Sequence, residues 1–114
     1  MRRGEVWTVA GARDYAGKPR PVVIMQDDRF ESVDSLVVCP FTSETTEEPL
    51  FRLPVEPNPG NGLRPACRLM VEKITAVPKS KIGQRMGSLD VEDIVRLNRS
   101  ILVLLGVATS SRTK

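Results

Sequence analysis

The chain contains no histidine. That absence removes the commonest general base near neutral pH and the commonest metal ligand, and with them every Ser/His or Cys/His nucleophilic pair. Cysteine is nearly absent as well, with Cys39 and Cys67 each alone in an apolar run, LVVCPF and ACRLMV. Two lone thiols cannot make a zinc site and nothing supports a disulfide, so both are expected as buried free thiols in a reducing compartment. Aromatic residues are scarce, one Trp, one Tyr and three Phe, which argues against a peptide groove lined by rings. No apolar run is long enough to span a bilayer. The two arginines of MRRGEVWTVA are not followed by the apolar stretch of a secretory signal, so a soluble cytoplasmic protein is expected. Chemistry in such a chain has to run on arginine, carboxylates, hydroxyls or backbone groups.

What is present fits one small domain. A length of 114 residues has room for a single core. The expectation is one domain over residues 1–114, with a barrel over about 1–88, a helix over about 90–105 and a short tail. Residues 5–9, EVWTV, alternate as a half-buried strand does, with Val6 on one face and a mostly buried Trp7 on the other. The stretch AGARDYAGKP at 10–19 reads as a flexible loop. Residues 20–26, RPVVIMQ, and 36–41, LVVCPF, are apolar β-branched runs that predict buried strands. Proline has no amide donor, which predicts Pro40 at a strand end or a sheet edge. LFRLPV at 50–55 predicts a fourth strand, EPNPGNGLRP a loop, ACRLMVEKI at 66–74 a longer fifth strand, and residues 81–86 a short last one. With no helix between these strands, the fold class is mainly β, a small barrel or sandwich.

The exception is the C-terminal segment. Asp90 can cap a helix whose first turn carries Glu92 and Asp93, and Ile94, Leu97, Ile101, Leu104 and Leu105 follow at helical spacing up to a stop at Gly106. Val95, Leu102 and Val103 add more apolar surface than one barrel face requires, so part of the helix is expected to meet a second subunit.

The net charge of +3 conceals a polarised middle. Residues 31–56 carry six acids and one base, and residues 57–88 carry six bases and one acid. The basic half is either a surface for phosphate backbones or, with its acidic neighbour, one of two solvated faces of opposite sign.

MRRGEVW at the start, KPRPVVIMQDD, VVCPFTS, NGL at 61–63 and VEKI at 71–74 occur in an order that resembles the MazF/PemK family of toxin endoribonucleases from bacterial toxin–antitoxin pairs. The resemblance implies an SH3-like barrel with a C-terminal α-helix, a homodimer, and cleavage of single-stranded RNA at short motifs with no metal and no other cofactor. It also implies a MazE-like antitoxin, whose disordered acidic segment folds on binding and occupies the RNA groove. A histidine-free domain is compatible with such chemistry, because RNA supplies its own nucleophile in the 2′-OH beside the scissile phosphate.

Carried over residue by residue, the family's catalytic arginine matches Arg20 and its catalytic threonine Thr42. Arg20 is a permanently charged fork suited to stabilising the phosphate in the transition state, and Thr42 can donate to a non-bridging oxygen or position the 2′-OH. Arg20, Asp27, Asp28 or a phosphate oxygen of the substrate are the options for taking the 2′-OH proton; Gln26 fails chemically as a base. Arg13, Tyr15 and Lys18 in the first loop, with Gln26, Ser43, Arg64, Arg68 and Lys73, complete the residues expected to contact RNA; Tyr15 could stack on a base. The sequence departs from commoner relatives at Cys67, where serine is frequent, and at Lys73, where glutamine is frequent. Two readings compete with the ribonuclease: a non-enzymatic toxin of the same fold, resembling the CcdB gyrase poisons, and a plain SH3-like interaction module. Arg20 and Thr42 in their motifs favour the ribonuclease, because a gyrase binder needs neither.

Overall fold

The computed structural model describes residues 1–10, 19–30, 32–44 and 51–108. The alternating apolar runs form seven strands, all paired antiparallel: β1 (Glu5–Val9), β2 (Arg20–Ile24), β3 (Ser35–Thr42), β4 (Arg52–Val55), β5 (Cys67–Met70), β6 (Thr75–Pro78) and β7 (Ile82–Ser88), followed by a single α-helix, α1 (Val91–Leu104). The strand order is β4-β5-β3-β2-β1-β7, with β6 also pairing β3. The mainly β class with a C-terminal helix is as the sequence predicts.

Alternation along the strands sorts the apolar side chains into two clusters. Val6, Val23, Cys39, Phe41, Leu69 and Leu97 belong to the larger one, against which Ile94 and Ile101 of α1 pack. Val22, Ile24, Leu36 and Val38 form the smaller, with Trp7, Val9, Val77 and Ile82 around it. Trp7 thus takes the face opposite Val6 but is only half-buried, and its indole Nε1 donates to Glu5 Oε1 at 2.9 Å.

Three expectations are corrected. The predicted strand over 66–74 stops at Met70, turns through a 3-10 segment at Val71–Lys73 and resumes as β6. Buried Val71 fixes that turn: its amide bonds to Phe51 O at 2.9 Å and its carbonyl accepts from Ile74. Pro40 lies inside β3 rather than at an end or edge. The carbonyl of Val37 accepts from Met25, so odd-numbered residues of β3 bond toward β2 and even-numbered ones toward the other side. On that other side β6 pairs residues 35–38 and β5 pairs 41–42, and Pro40 falls in the gap, where no donor is required. The last strand is longer than the predicted 81–86.

Asp90 caps α1 by accepting from the Asp93 amide at 2.9 Å. Gly106, at φ +76, closes the helix, with its own amide bonded to Val103 O and that of Val107 to Leu102 O. Leu97 is buried, whereas Leu104 and Leu105, expected on the same apolar stripe, are exposed together with Val91, Val95 and Leu102.

Cys39 and Cys67 are both buried free thiols, as expected. Burial, assisted by the charge of Glu72, pushes the Cys39 thiol from 9.0 up to about 12. A thiol that ionises more readily in the unfolded chain than in the fold stabilises the fold below pH 9, and that contribution is lost as pH rises toward 12. Urea midpoints should therefore fall between pH 9 and about 11 in the wild type and fall less in Cys39→Val; parallel slopes would show that this thiol contributes nothing.

Candidate functional site

The β2–β3 pairing sets Val22 opposite Pro40, Val23 opposite Cys39 and Ile24 opposite Val38. Beyond these pairs β2 begins at Arg20 and β3 ends at Thr42, at the same end of the sheet, and the β3–β5 pairing sets Thr42 opposite Arg68. Directly opposed residues of an antiparallel sheet project to one face, so Thr42 and Arg68 stand side by side where β3 ends.

This end of the sheet opens into a cleft of about 590 Å³. Arg20, Thr42 and Ser43 supply polar groups from the strand side, and Leu63, Arg64 and Pro65 form the facing wall. Phe41, Cys67 and Met86 make the rest largely apolar, flanked by Pro19 and Pro21. Arg20, Ser43 and Arg64 are exposed and Thr42 is half-buried. The Thr42 hydroxyl oxygen accepts from the Glu44 amide at 3.2 Å, which turns the chain sharply out of β3 and leaves the hydroxyl proton to be donated. Two guanidinium groups, two hydroxyls and apolar walls suit an extended anion with an apolar face, such as a nucleotide unit.

Arg20, Thr42, Ser43 and Arg64 therefore meet in one cleft, and Arg68 stands beside Thr42 without lining it. Gln26 does not reach the cleft. It lies beyond the opposite end of β2, with Nε2 donating to Phe30 O at 2.8 Å and Oε1 accepting from Val37 N at 3.2 Å, a brace for the turn that leads into β3. Lys73 also lies elsewhere, in the 3-10 turn after β5. Arg13, Tyr15 and Lys18 fall outside the described residues. The basic run of residues 57–88 is not one surface: Arg64 lines the cleft, whereas Arg85 pairs with Glu5 at 3.1 Å and Lys79 lines a separate cavity with Met1, Ser32 and Leu36.

Two of the four options for the proton acceptor are removed. Asp27 and Asp28 follow the far end of β2, five strand residues and roughly 15 Å or more from Arg20 at about 3.3 Å per residue. Both are engaged there: Asp27 with the Arg29 guanidinium, whose hydrogen bonds hold its carboxyl below the ordinary value, and Asp28 with Arg2 and the Arg3 amide. Burial raises the pKa of Cys67, whose thiol donates to Pro65 O at 3.4 Å, so it is a neutral part of the wall. Among the described residues no group of three or more Cys, Asp or Glu side chains is arranged to hold a metal ion.

Residues that the sequence did not single out as site residues, Leu63, Pro65 and Met86, shape the cleft. Apolar loop residues carry no chemical signal of their own; NGL contributes to the family resemblance, but neither it nor the neighbouring prolines points to a wall of the site.

Residues 2–105 match the family described as PemK-like, MazF-like toxin of type II toxin-antitoxin system. A protein of Mycolicibacterium smegmatis named as a probable endoribonuclease MazF is 48% identical over 108 residues, which cover 95% of this chain and 99% of that protein. Among solved structures, an endoribonuclease in complex with its cognate antitoxin from mycobacterial species superposes with a TM-score of 0.75 at 18% identity, over 96% of this chain and 99% of that one. The Mycobacterium tuberculosis toxin MazF-mt6 gives a TM-score of 0.75 at 19% identity, over 90% and 96%. At these identities the two structures speak for the fold.

Proposed function

The chain belongs to the PemK-like, MazF-like toxins of type II toxin–antitoxin systems, and from that premise we propose that it is an endoribonuclease that cuts single-stranded RNA by attack of the 2′-OH on the adjacent phosphate. The observation that carries this reading is the cleft that Arg20 and Thr42 line together. Arg20 grips the non-bridging oxygens as negative charge grows on them, and Thr42 donates to one of them or holds the 2′-OH in line. The 2′-oxygen bonds to phosphorus and the bond to O5′ breaks. The 2′-OH proton passes through a phosphate oxygen to the departing O5′, which leaves a 2′,3′-cyclic phosphate and a 5′-hydroxyl. No step needs a metal ion.

Arg64, Ser43 and Arg68 hold the chain on either side of the scissile phosphate. The same charges suit an acidic antitoxin segment, and a structural neighbour was solved with its cognate antitoxin. Residues 1–114 act as one domain that works in the cytoplasm and inhibits growth by cutting RNA needed for translation. No described helix is long and apolar enough to cross a membrane. The chain acts as a homodimer, a reading supported by the exposed Val91, Val95 and Leu102 of α1 and Leu105 at its C-terminal cap. No observation favours the gyrase-poison alternative.

Incubation with a long single-stranded RNA in EDTA should yield fragments with 2′,3′-cyclic or 3′-phosphate ends and 5′-hydroxyls; intact RNA would sink the proposal. Arg20→Ala should lower turnover about 100- to 1000-fold, the scale of losing one oxyanion donor, and an unchanged rate would make Arg20 structural. A 2′-deoxy substitution at the cut nucleotide should abolish cleavage, and retained cleavage would point to water as nucleophile. Light scattering should give twice the 12.6 kDa chain mass, reduced in Leu102→Glu; a monomeric wild type would overturn the dimer.

A further inference from the structure

The loop wall of the cleft is held in an unusual way. Between β4 and β5 the chain passes through residues 56–66, and at its centre Asn61 is fully buried, one of only two buried polar residues among those described. Its carboxamide is bonded on both ends to the loop's own backbone: Oδ1 accepts from the amides of Asn58 at 3.1 Å and Leu63 at 3.0 Å, and Nδ2 donates to Glu56 O at 2.9 Å. One side chain therefore ties together the start, the middle and the exit of the loop, and the exit is Leu63, Arg64 and Pro65, the wall that faces Arg20 and Thr42.

The outside of the loop is fixed against β7 by direct backbone contact. Ser88 N donates to Gly60 O at 2.8 Å. A Cβ at Gly87 would stand 2.3 Å from Gly60 O, and one at Gly62, which sits at φ +74, would stand 2.2 Å from Met86 O. No layer of side chains fills that contact. The wall is held from inside by hydrogen bonds within the loop, three of them made by the Asn61 side chain, with Asn58 Oδ1 adding bonds from Gly60 N and Asn61 N at 2.9 Å each.

We infer that Asn61 is a positioning residue for substrate: its buried carboxamide sets the place of the Leu63, Arg64 and Pro65 wall, and through it the affinity for the RNA strand, without touching the reacting atoms. The inference rests on the ribonuclease reading above. It predicts a split between binding and chemistry, because Arg20 and Thr42 stand on the strand wall, which the loop does not support.

The test uses Asn61→Asp in the full chain. An ionised aspartate keeps both acceptor roles but loses the donation to Glu56 O, whereas a protonated one restores all three bonds; a carboxyl in this buried site takes up its proton well above the usual range. Binding is read with a 2′-deoxy, uncleavable oligonucleotide covering a mapped cut site, and turnover with its all-ribose counterpart. At pH 8 the variant should bind at least about tenfold more weakly than wild type with kcat within about threefold, and the Kd ratio should shrink toward one as pH falls to about 5.5. Asn58→Ala, which leaves the buried amide in place, should weaken binding in the same sense but less, and it serves if Asn61→Asp fails to fold. Arg64→Ala should make the loss from Asn61→Asp largely disappear in the double variant. Unchanged Kd in folded variants, a fall in kcat at unchanged Kd, or a Kd ratio independent of pH would overturn the inference while the wild type still cuts RNA. A wild type that does not cut RNA overturns the function proposal, and this one with it.

Discussion

Strand β3 serves three partners within eight residues, and the site depends on where it changes from one to another. A strand bonded to β2 on one side through its middle offers its other side first to β6 and then to β5. Any residue with an amide at the changeover would leave a donor unpaired near the core, at a cost of about 1–3 kcal/mol. Proline at position 40 has no such donor, so the changeover is cheapest there. Once β3 passes to β5, its last residue, Thr42, acquires Arg68 as its lateral neighbour, at the end of the sheet where β2 begins with Arg20. That pairing is a consequence of strand exchange around one imino acid.

The carboxylates complement this arrangement by being occupied elsewhere. For Glu5, partial burial works to raise the pKa, but bonds from the Arg2 amide, Trp7 and Arg85 outweigh it and keep the group below its ordinary value. Glu72 is held down by the Arg52 guanidinium, with Nε at 2.8 Å from Oε2, and this pair ties β4 to the turn that follows β5. Asp27 is held by Arg29. These acids knit the periphery, and the described lining of the cleft has two arginines and no carboxylate. An anionic strand entering it meets donors on both walls.

Much of this was legible in the sequence, and the failures have a common cause. The strands at 5–9, 20–24 and 35–42 and the helix cap at Asp90 follow from local alternation and capping chemistry, which the final fold respects. Arg20 and Thr42 could be singled out because they lie in motifs at strand ends. By contrast, ACRLMVEKI alternates as one strand would, and nothing local marks the turn that Val71 makes when its amide bonds to Phe51, a residue 20 positions away. Gln26 and Lys73 look like groove residues because they adjoin motif residues in sequence, yet each lies at the wrong end of its strand, beyond β2 and beyond β5. Proximity along a strand is proximity in space only within about two residues of the same end. Asn61 reads as one more residue of the EPNPGNGLRP loop, because the bonds of a buried carboxamide cannot be seen in a string of Pro, Asn and Gly.

The two walls of the cleft consequently differ in what they can change. On the strand wall, ladder pairing holds Arg20 against Val9 of β1 and Thr42 against Arg68 of β5, so a substitution there alters the side chain but not the frame. The loop wall has a frame of its own, in which positions 61, 62 and 87 are fixed by a buried, hydrogen-bonded carboxamide and by two backbone approaches that exclude a Cβ. Arg64 and Pro65 project from that frame into solvent, exposed and without a partner in the core. They can be exchanged for other side chains without unpairing a buried group. The cleft is thereby built from one wall fixed by strand pairing and one that presents two positions where the fold asks nothing of the side chain.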